Sequence, residues 1–414
     1  MGAQLTELDR ALETVLASTR PLGTEMVDVA SAYGRVLATE IVADAPVPGF
    51  TSSAMDGFAV RAADVSGARP DSPVGLTLVA ESRAGHPAKR TLRTGEAIAI
   101  STGAVLPDGA DGVVRVEETS SIDAHVHVFT RIEPGTDIRS AGGDLRSGQS
   151  VLASGARLGA AALGVLASLG VENAACFARP TVSVLTTGDE LAAPGEPLRL
   201  GMIHDTNSRS VPALAEGAGA EVVNVAHAPD DPAPTAAAIS RALAADVAVV
   251  CGGVSVGAHD HVRRCLAELG VEEQLFGIAL KPGKPTWFGT SEGRLVFALP
   301  GNPVSAMVTF ILLVRPALWA LAGAPPLSAR TTATFTEGYR KEPGRAHAVR
   351  CRLQLAEDGW RASPTGAQDS HILTSMLGAD ALAIIPTASG SVAAGERVEV
   401  ELLEPGILEA GVPA

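Results

Sequence analysis

The chain has 414 residues, 46% of them apolar and 19% charged, which excludes a disordered protein and allows about two to four domains, each with its own core. A formal net charge of −14 excludes a general nucleic-acid or anionic-membrane binder, because both partners want a basic face. Cys176, Cys251, Cys265 and Cys351 form no Cys-x-x-Cys pair, so neither a disulfide frame nor a zinc knuckle is expected, and a reducing cytoplasm is the expected location.

No signal peptide is read at the start, where Leu5, Leu8, Leu12, Val15 and Leu16 predict an amphipathic helix. Met1-Gly2-Ala3-Gln4-Leu5-Thr6 matches the loose myristoylation pattern, which is too short to carry weight. After a break at Gly23, a second helix is expected through Val27, Ala30 and Val36. Short β-type runs at 76–79, 97–100, 113–116 and 125–129, with turn residues between them, predict a small β-rich module. A helix at 159–169 and a strand follow. Residues 1–43 and 141–178 are therefore expected to form one discontinuous mixed module, with residues 44–140 inserted.

Residues 180–323 alternate strands (182–186, 221–225, 247–251, 295–299) with helices (210–218, 234–243, 260–269, and one from Pro303). That pattern predicts a doubly wound, mainly parallel α/β domain, bounded at 179–325. Its most apolar tract, 306–324, is interrupted by Arg315 and Pro316 and reads as a core helix pair rather than a membrane span. Beyond Ala324-Pro325-Pro326, strands at 331–335, 348–355, 381–385 and 397–402 predict a small all-β domain, 326–414. The expected fold class is multidomain α/β plus β.

The chemistry gathers where ligands sit in open α/β sheets, outside the carboxyl ends of the strands. The apolar run at 247–251 is followed by Gly252, Gly253, Ser255 and Gly257 and then by a helix, a combination that suits phosphate. Beside it on the same sheet edge are expected Thr187, Gly188, Asp189 and Glu190, then Asp230 and Asp231, and lastly Pro300, Gly301, Asn302 and Pro303. Lys281 and Lys284 lie in Lys281-Pro282-Gly283-Lys284-Pro285, whose prolines restrict where the two ammoniums stand. Acids beside a phosphate site call for a hard cation, so Mg²⁺ is expected, with Asp260 its leading ligand and helix capping the alternative role for that residue.

Two further patterns compete. Gly253-Val254-Ser255-Val256-Gly257 matches a hydrolase nucleophile elbow, but only His347 and His371 follow the adjoining helix, both in the all-β tail. His259 and His261 flank Asp260, yet a His-x-His at a helix start without further partners reads as solvent-exposed.

Taken in order, Ser53-Ala54-Met55-Asp56-Gly57-Phe58-Ala59-Val60, Thr102-Gly103-Ala104, Gly143-Asp144, Thr187-Gly188-Asp189-Glu190, Gly252-Gly253-Val254-Ser255-Val256-Gly257 with Asp260, the two-lysine motif, and Pro300-Gly301-Asn302-Pro303-Val304-Ser305 resemble the molybdopterin molybdenumtransferase family, which includes MoeA and the E domain of gephyrin. In the tail, Arg345, Arg350 and Asp369-Ser370-His371 resemble the family's arginine pair and late serine motif. The resemblance implies a four-part subunit and an elongated homodimer. It implies insertion of molybdate into the dithiolene of adenylylated molybdopterin, with Mg²⁺-dependent release of AMP.

Carried onto this sequence, it makes Asp189, Glu190 and Asp260, with Asp231, the acids at the metal and phosphate. It has Asp56 and Thr102 contributed across the dimer, and gives Lys281, Lys284, Arg350 and Ser370 the oxyanion pocket. Molybdopterin adenylyltransferase and molybdoenzyme delivery proteins are further partners it implies. Ala258, His261, Ser52 and Gly277 depart from the family pattern around the site, leaving open a tungstate-handling or low-activity paralogue. A molybdopterin-binding scaffold without turnover is the reading from another class.

Overall fold

The computed structural model describes residues 5–254, 261–327 and 329–404. In its α/β portion, β1 (Thr181–Thr187), α1 (Asn207–Gly217), β2 (Glu221–Ala228), α2 (Pro232–Ala242), β3 (Val247–Cys251), α3 (Val262–Glu268), β4 (Glu272–Phe276), β5 (Trp287–Ser291) and β6 (Arg294–Leu299) follow one another. The sheet order is β2-β1-β3-β6-β5-β4. The first four strands of that order run parallel, while β5 and β4 return antiparallel at one edge. Every residue of β3 is buried, as its unbroken apolar run requires of a strand covered on both faces. Helices provide that cover. Val184, Val249 and Phe297 pack with Val211 and Ala215 of α1, whereas Leu185, Val250 and Ala298 pack with Ile239 of α2 and Leu266 of α3.

The register brings Thr187 opposite Ala228, Thr186 opposite Cys251, and Cys251 opposite Leu299. Four loops therefore leave the sheet from one edge, which is what positions the site. From Pro303 the chain runs helically to Leu321 through α4 (Pro303–Thr309), a π-helical turn over Phe310–Val314, and α5 (Arg315–Leu321). The expected helix pair is thus one run. The wide turn lies immediately before Pro316 and accommodates its missing N–H and its ring without breaking the helix. By length and composition the run could span a bilayer, but 89% of its most apolar window is buried inside the protein.

The C-terminal strands close into a barrel. Ala346–Ala356, Gly359–Pro364, Arg330–Phe335, Arg397–Leu402 and Ala381–Ile385 are neighbours in that order, and the last pairs back with the first. Arg315 of α5 docks on this barrel through Glu401 at 2.7 Å, and Arg330 meets the same carboxylate at 2.9 Å, so the buried acid has two cations.

The chain divides into two compact units, Met1–Thr39 with Gly155–Gly159 and Asn173–Ala414, and Glu40–Ser154 with Ala160–Glu172. In the first, the N-terminal helix Leu8–Ala17 buries Leu8, Ala11, Leu12 and Val15 in the core of the α/β portion. The second helix expected from Val27, Ala30 and Val36 is not there. Thr24–Asp28 is a strand, antiparallel to Asn173–Phe177 with Val27 opposite Ala174, and a single 3₁₀ turn follows it. Long-range pairing outweighed a weak local period. The second unit is built on a six-stranded sheet in the order Gly112–Arg115, Gly57–Val60, Glu96–Ile100, Val74–Ser82, His125–Val128, Thr119–Ile122. Phe58, Val60, Leu76, Val114 and Val126 form its core.

Candidate active site

At the sheet edge, Gly252 leaves β3 with φ +99°, a backbone state that L side chains rarely adopt. A Cβ on Gly252 would stand 2.7 Å from the Thr187 carbonyl oxygen, and one on Gly301 would stand 3.6 Å from Gly252 Cα. The loops after β1, β3 and β6 thus converge backbone to backbone, with peptide groups rather than side chains at the junction. Thr187 lies at this convergence, and its buried Oγ1 has no hydrogen-bond partner among the described residues. An orphaned buried hydroxyl is costly unless something docks on it.

Supporting groups fix the loops. His227 on β2 approaches the Gly188 carbonyl at 2.9 Å through Nε2. Asn207, at the start of α1, donates from Nδ2 to the Gly301 carbonyl at 2.8 Å. The buried Asp205 accepts from Thr186 Oγ1 at 2.6 Å and from the Ser208 N–H at 3.0 Å, which sets the entry to α1. Sequence reading did not single out Asp205 or Asn207, although Asp-Thr-Asn-Ser before a helix is a capping signature.

The acids divide. The Asp230 N–H donates to Asp189 Oδ1 at 3.1 Å and the Asp189 N–H to Asp230 Oδ2 at 3.4 Å, lacing two loops together with both carboxylates exposed. Glu190 is also exposed, its carboxylate folded over Gly188. Asp231 caps α2, accepting from the Ala233 N–H at 3.0 Å. Among the described residues no three His, Cys, Asp or Glu side chains group to hold a metal. Ser255, Gly257 and Asp260, the remaining expected site residues of this loop, lie outside the described residues, as does His259. Of the acids expected at a metal, Asp189, Glu190 and Asp231 are described, and all three offer carboxylate oxygen, the donor type of a hard cation.

Asn302 links the sheet edge to the barrel: its Nδ2 donates to Ser370 Oγ at 3.1 Å, uniting two motifs 68 residues apart. The Ser370 loop is held from beneath by Arg350, which is fully buried. Its Nη1 and Nη2 donate to the carbonyls of Gln368, Ala367 and Asp369 at 3.2 to 3.3 Å, and its Nε donates to Ser375 Oγ at 3.1 Å. Arg350 is therefore neither a surface cation nor a lining of the basic cavity described next; it organises the loop that carries Ser370.

Lys281 and Lys284 line a cavity of about 690 Å³ with Leu5, Tyr339, Arg340, Lys341, Glu342, Pro343, Gly344, Arg345 and His347. Lys281 reaches it by pairing opposite His347, and Gly283 seats its segment against Thr309 of α4. Five Lys or Arg against one Glu give the cavity a strongly positive lining. Burial first, then Lys281, Lys341 and Arg345, push the His347 imidazole down to about 4, so it is neutral among these cations. Desolvation also lowers the Lys341 ammonium, which donates to the Arg345 carbonyl at 2.9 Å.

In the second unit, Asp56 and Thr102 come together: the Thr102 N–H donates to Asp56 Oδ1 at 2.8 Å, and both residues are exposed. The Ser53–Val60 and Thr102–Ala104 motifs thus form one corner of that unit.

Three family descriptions match the chain in order. Residues 6–170 match the MoeA N-terminal region (domains I and II), 183–320 a probable molybdopterin binding domain, and 332–403 the MoeA C-terminal region (domain IV). The molybdopterin molybdenumtransferase of Haemophilus influenzae is 35% identical over 95% of this chain and 98% of its own length. Molybdopterin molybdenumtransferase 2 of Mycobacterium tuberculosis is 36% identical with the same coverage. Among solved structures, a molybdopterin biosynthesis MoeA protein from Pyrococcus horikoshii superposes with a TM-score of 0.81 at 33% identity, covering 97% of this chain and 99% of that one. With these family matches over most of its length and these relatives across 95% of it, the chain belongs to the molybdopterin molybdenumtransferase family.

Proposed function

We propose that this enzyme inserts molybdate into the dithiolene of adenylylated molybdopterin and releases AMP, giving molybdenum cofactor. One observation carries the reading. The glycine junction at Thr187, Gly252 and Gly301 is tied through Asn302 and Ser370 to the barrel, whose strand Ala346–Ala356 borders the basic cavity of Lys281 and Lys284. That junction suits a pyrophosphate-bearing pterin, held by peptide groups with the Thr187 hydroxyl free to bond it. The cavity suits a tetrahedral oxyanion such as molybdate, neutralised by fixed ammoniums and guanidiniums.

Asp189, Glu190 and Asp260 would hold Mg²⁺ beside the pyrophosphate, with Asp231 contributing only the oxygen its cap leaves free. When bound, the ion supplies the positive charge that lets AMP leave. Asp56 and Thr102, paired and exposed, suit contact with substrate bound to a second copy, in a homodimer. Four free, buried cysteines accord with a reducing cytoplasm. The test is Asp260→Ala: molybdate-dependent AMP release should disappear while the dimer, read by light scattering, stays intact. Full activity in that variant would remove Asp260 from the mechanism.

A further inference from the structure

The basic cavity contains one group whose charge is withheld. His347 is 8% exposed and lines the cavity, opposite Lys281 on the parallel strand and two residues after Arg345, which immediately precedes its own strand. Lys341, Arg340, Glu342 and Tyr339 face it from the preceding segment, and Lys284 from the two-lysine segment. Its antiparallel neighbour, Ala381–Ile385 with Ile385 opposite, brings no titratable side chain. Nδ1 lies 3.4 Å from Tyr339 Oη, and the rings meet edge to face at 6.1 Å. With the Tyr339 hydroxyl donating to Nδ1, the neutral ring carries its proton on Nε2, for which the described protein offers no partner.

We propose that His347 is a specificity-determining proton acceptor of the oxyanion pocket: it is neutral while the pocket holds only cations and becomes imidazolium when a dianion enters, so that oxyanion binding takes up a proton. The argument is electrostatic. In the empty pocket Lys281, Lys341 and Arg345 oppose a further charge, and burial adds to them, holding the imidazole near 4. A tetrahedral dianion among the same groups offsets much of that repulsion and attracts a proton to the ring. The acquired proton goes to Nδ1, where the Tyr339 hydroxyl turns from donor to acceptor, and the charge it brings makes the Nε2–H a charge-assisted donor to an oxyanion oxygen. Because the bound state holds the extra proton, affinity must fall as pH rises, by at most about tenfold per pH unit for one proton. An anion of single charge offsets less of the repulsion and takes up less proton, which favours dianions over phosphate-like monoanions at neutral pH.

This inference rests on the reading of the cavity as the oxyanion seat, and the experiment separates the two. Molybdate is titrated into the intact protein by calorimetry at pH 6, 7 and 8, each in two buffers of different ionisation enthalpy, which counts the protons taken up. Wild type is expected to bind with an uptake between zero and one proton that grows toward pH 6. His347→Gln, a neutral donor of similar reach, is expected to bind several-fold more weakly at pH 6 with the uptake gone. Binding without proton uptake in wild type, or undiminished uptake in His347→Gln, would overturn the proposal while leaving the cavity as the seat. No binding at any pH would overturn both. Should His347→Gln fail to fold, as read by circular dichroism, the wild-type proton count decides alone.

Discussion

Replacing Arg350 separates an anion ligand from an organiser of the site. Its guanidinium makes four hydrogen bonds of 3.1 to 3.3 Å, three to the carbonyls of residues 367–369 and one to Ser375, in a position closed to solvent. Arg350→Ala leaves those carbonyls without donors, at roughly 1–3 kcal/mol for each group that water cannot reach. Partial relaxation of the exposed loop trims the sum, and a loss of about 3–5 kcal/mol is expected, the range for removing one partner from a buried charged network. Arg350→Lys keeps the charge but cannot fan out to three carbonyls, so it should recover less than half of that loss. Urea unfolding followed by tryptophan fluorescence suits the test, because Trp319 is in the barrel core and Trp360 packs against it. If Arg350→Ala changes stability by less than about 1 kcal/mol yet abolishes molybdate binding, the side chain is a direct ligand and the positioning account is wrong.

Two glycines of the junction should behave differently. Gly252→Ala puts a methyl 2.7 Å from the Thr187 carbonyl at φ +99°, and should cost about 2–4 kcal/mol from disfavoured backbone and overpacking together. Gly301→Ala meets nothing closer than 3.6 Å, so its melting temperature should hold while AMP release falls at least tenfold; full activity would mean the substrate does not lie between these loops. Asn302→Ala and Ser370→Ala share one 3.1 Å hydrogen bond, and each should slow turnover. A double mutant that shows no coupling, where about 0.5–1.5 kcal/mol is expected, would deny that the bond operates during the reaction.

Much of this site was legible because its chemistry is written in short local motifs. The apolar run Val247–Cys251 and the glycines after it specify a buried strand and a side-chain-free turn wherever the rest of the chain goes. What stayed hidden depended on pairing across sequence. Thr24–Asp28 became a strand because Asn173–Phe177 was available beside it, about 150 residues away, which no local window reveals. Glu272–Phe276 and Trp287–Ser291 were missed since an antiparallel edge does not follow from strand-helix alternation. Arg350 was legible as a motif residue but not in its role, because the carbonyls that receive it come from a loop some 18 residues on. His347, Lys341 and Tyr339 carry no motif at all. Only the pairing of Leu280–Lys281 with the barrel strand brings them to the two lysines.

The central claim is tested most directly by AMP release in a single turnover of adenylylated molybdopterin with Mg²⁺, comparing no oxyanion, molybdate and tungstate. The account predicts release that depends on the oxyanion and is fastest with molybdate; release favouring tungstate would reassign the pocket to that anion. No release with either oxyanion, from folded protein that still binds the adenylylated pterin, would contradict catalysis and leave a binding role.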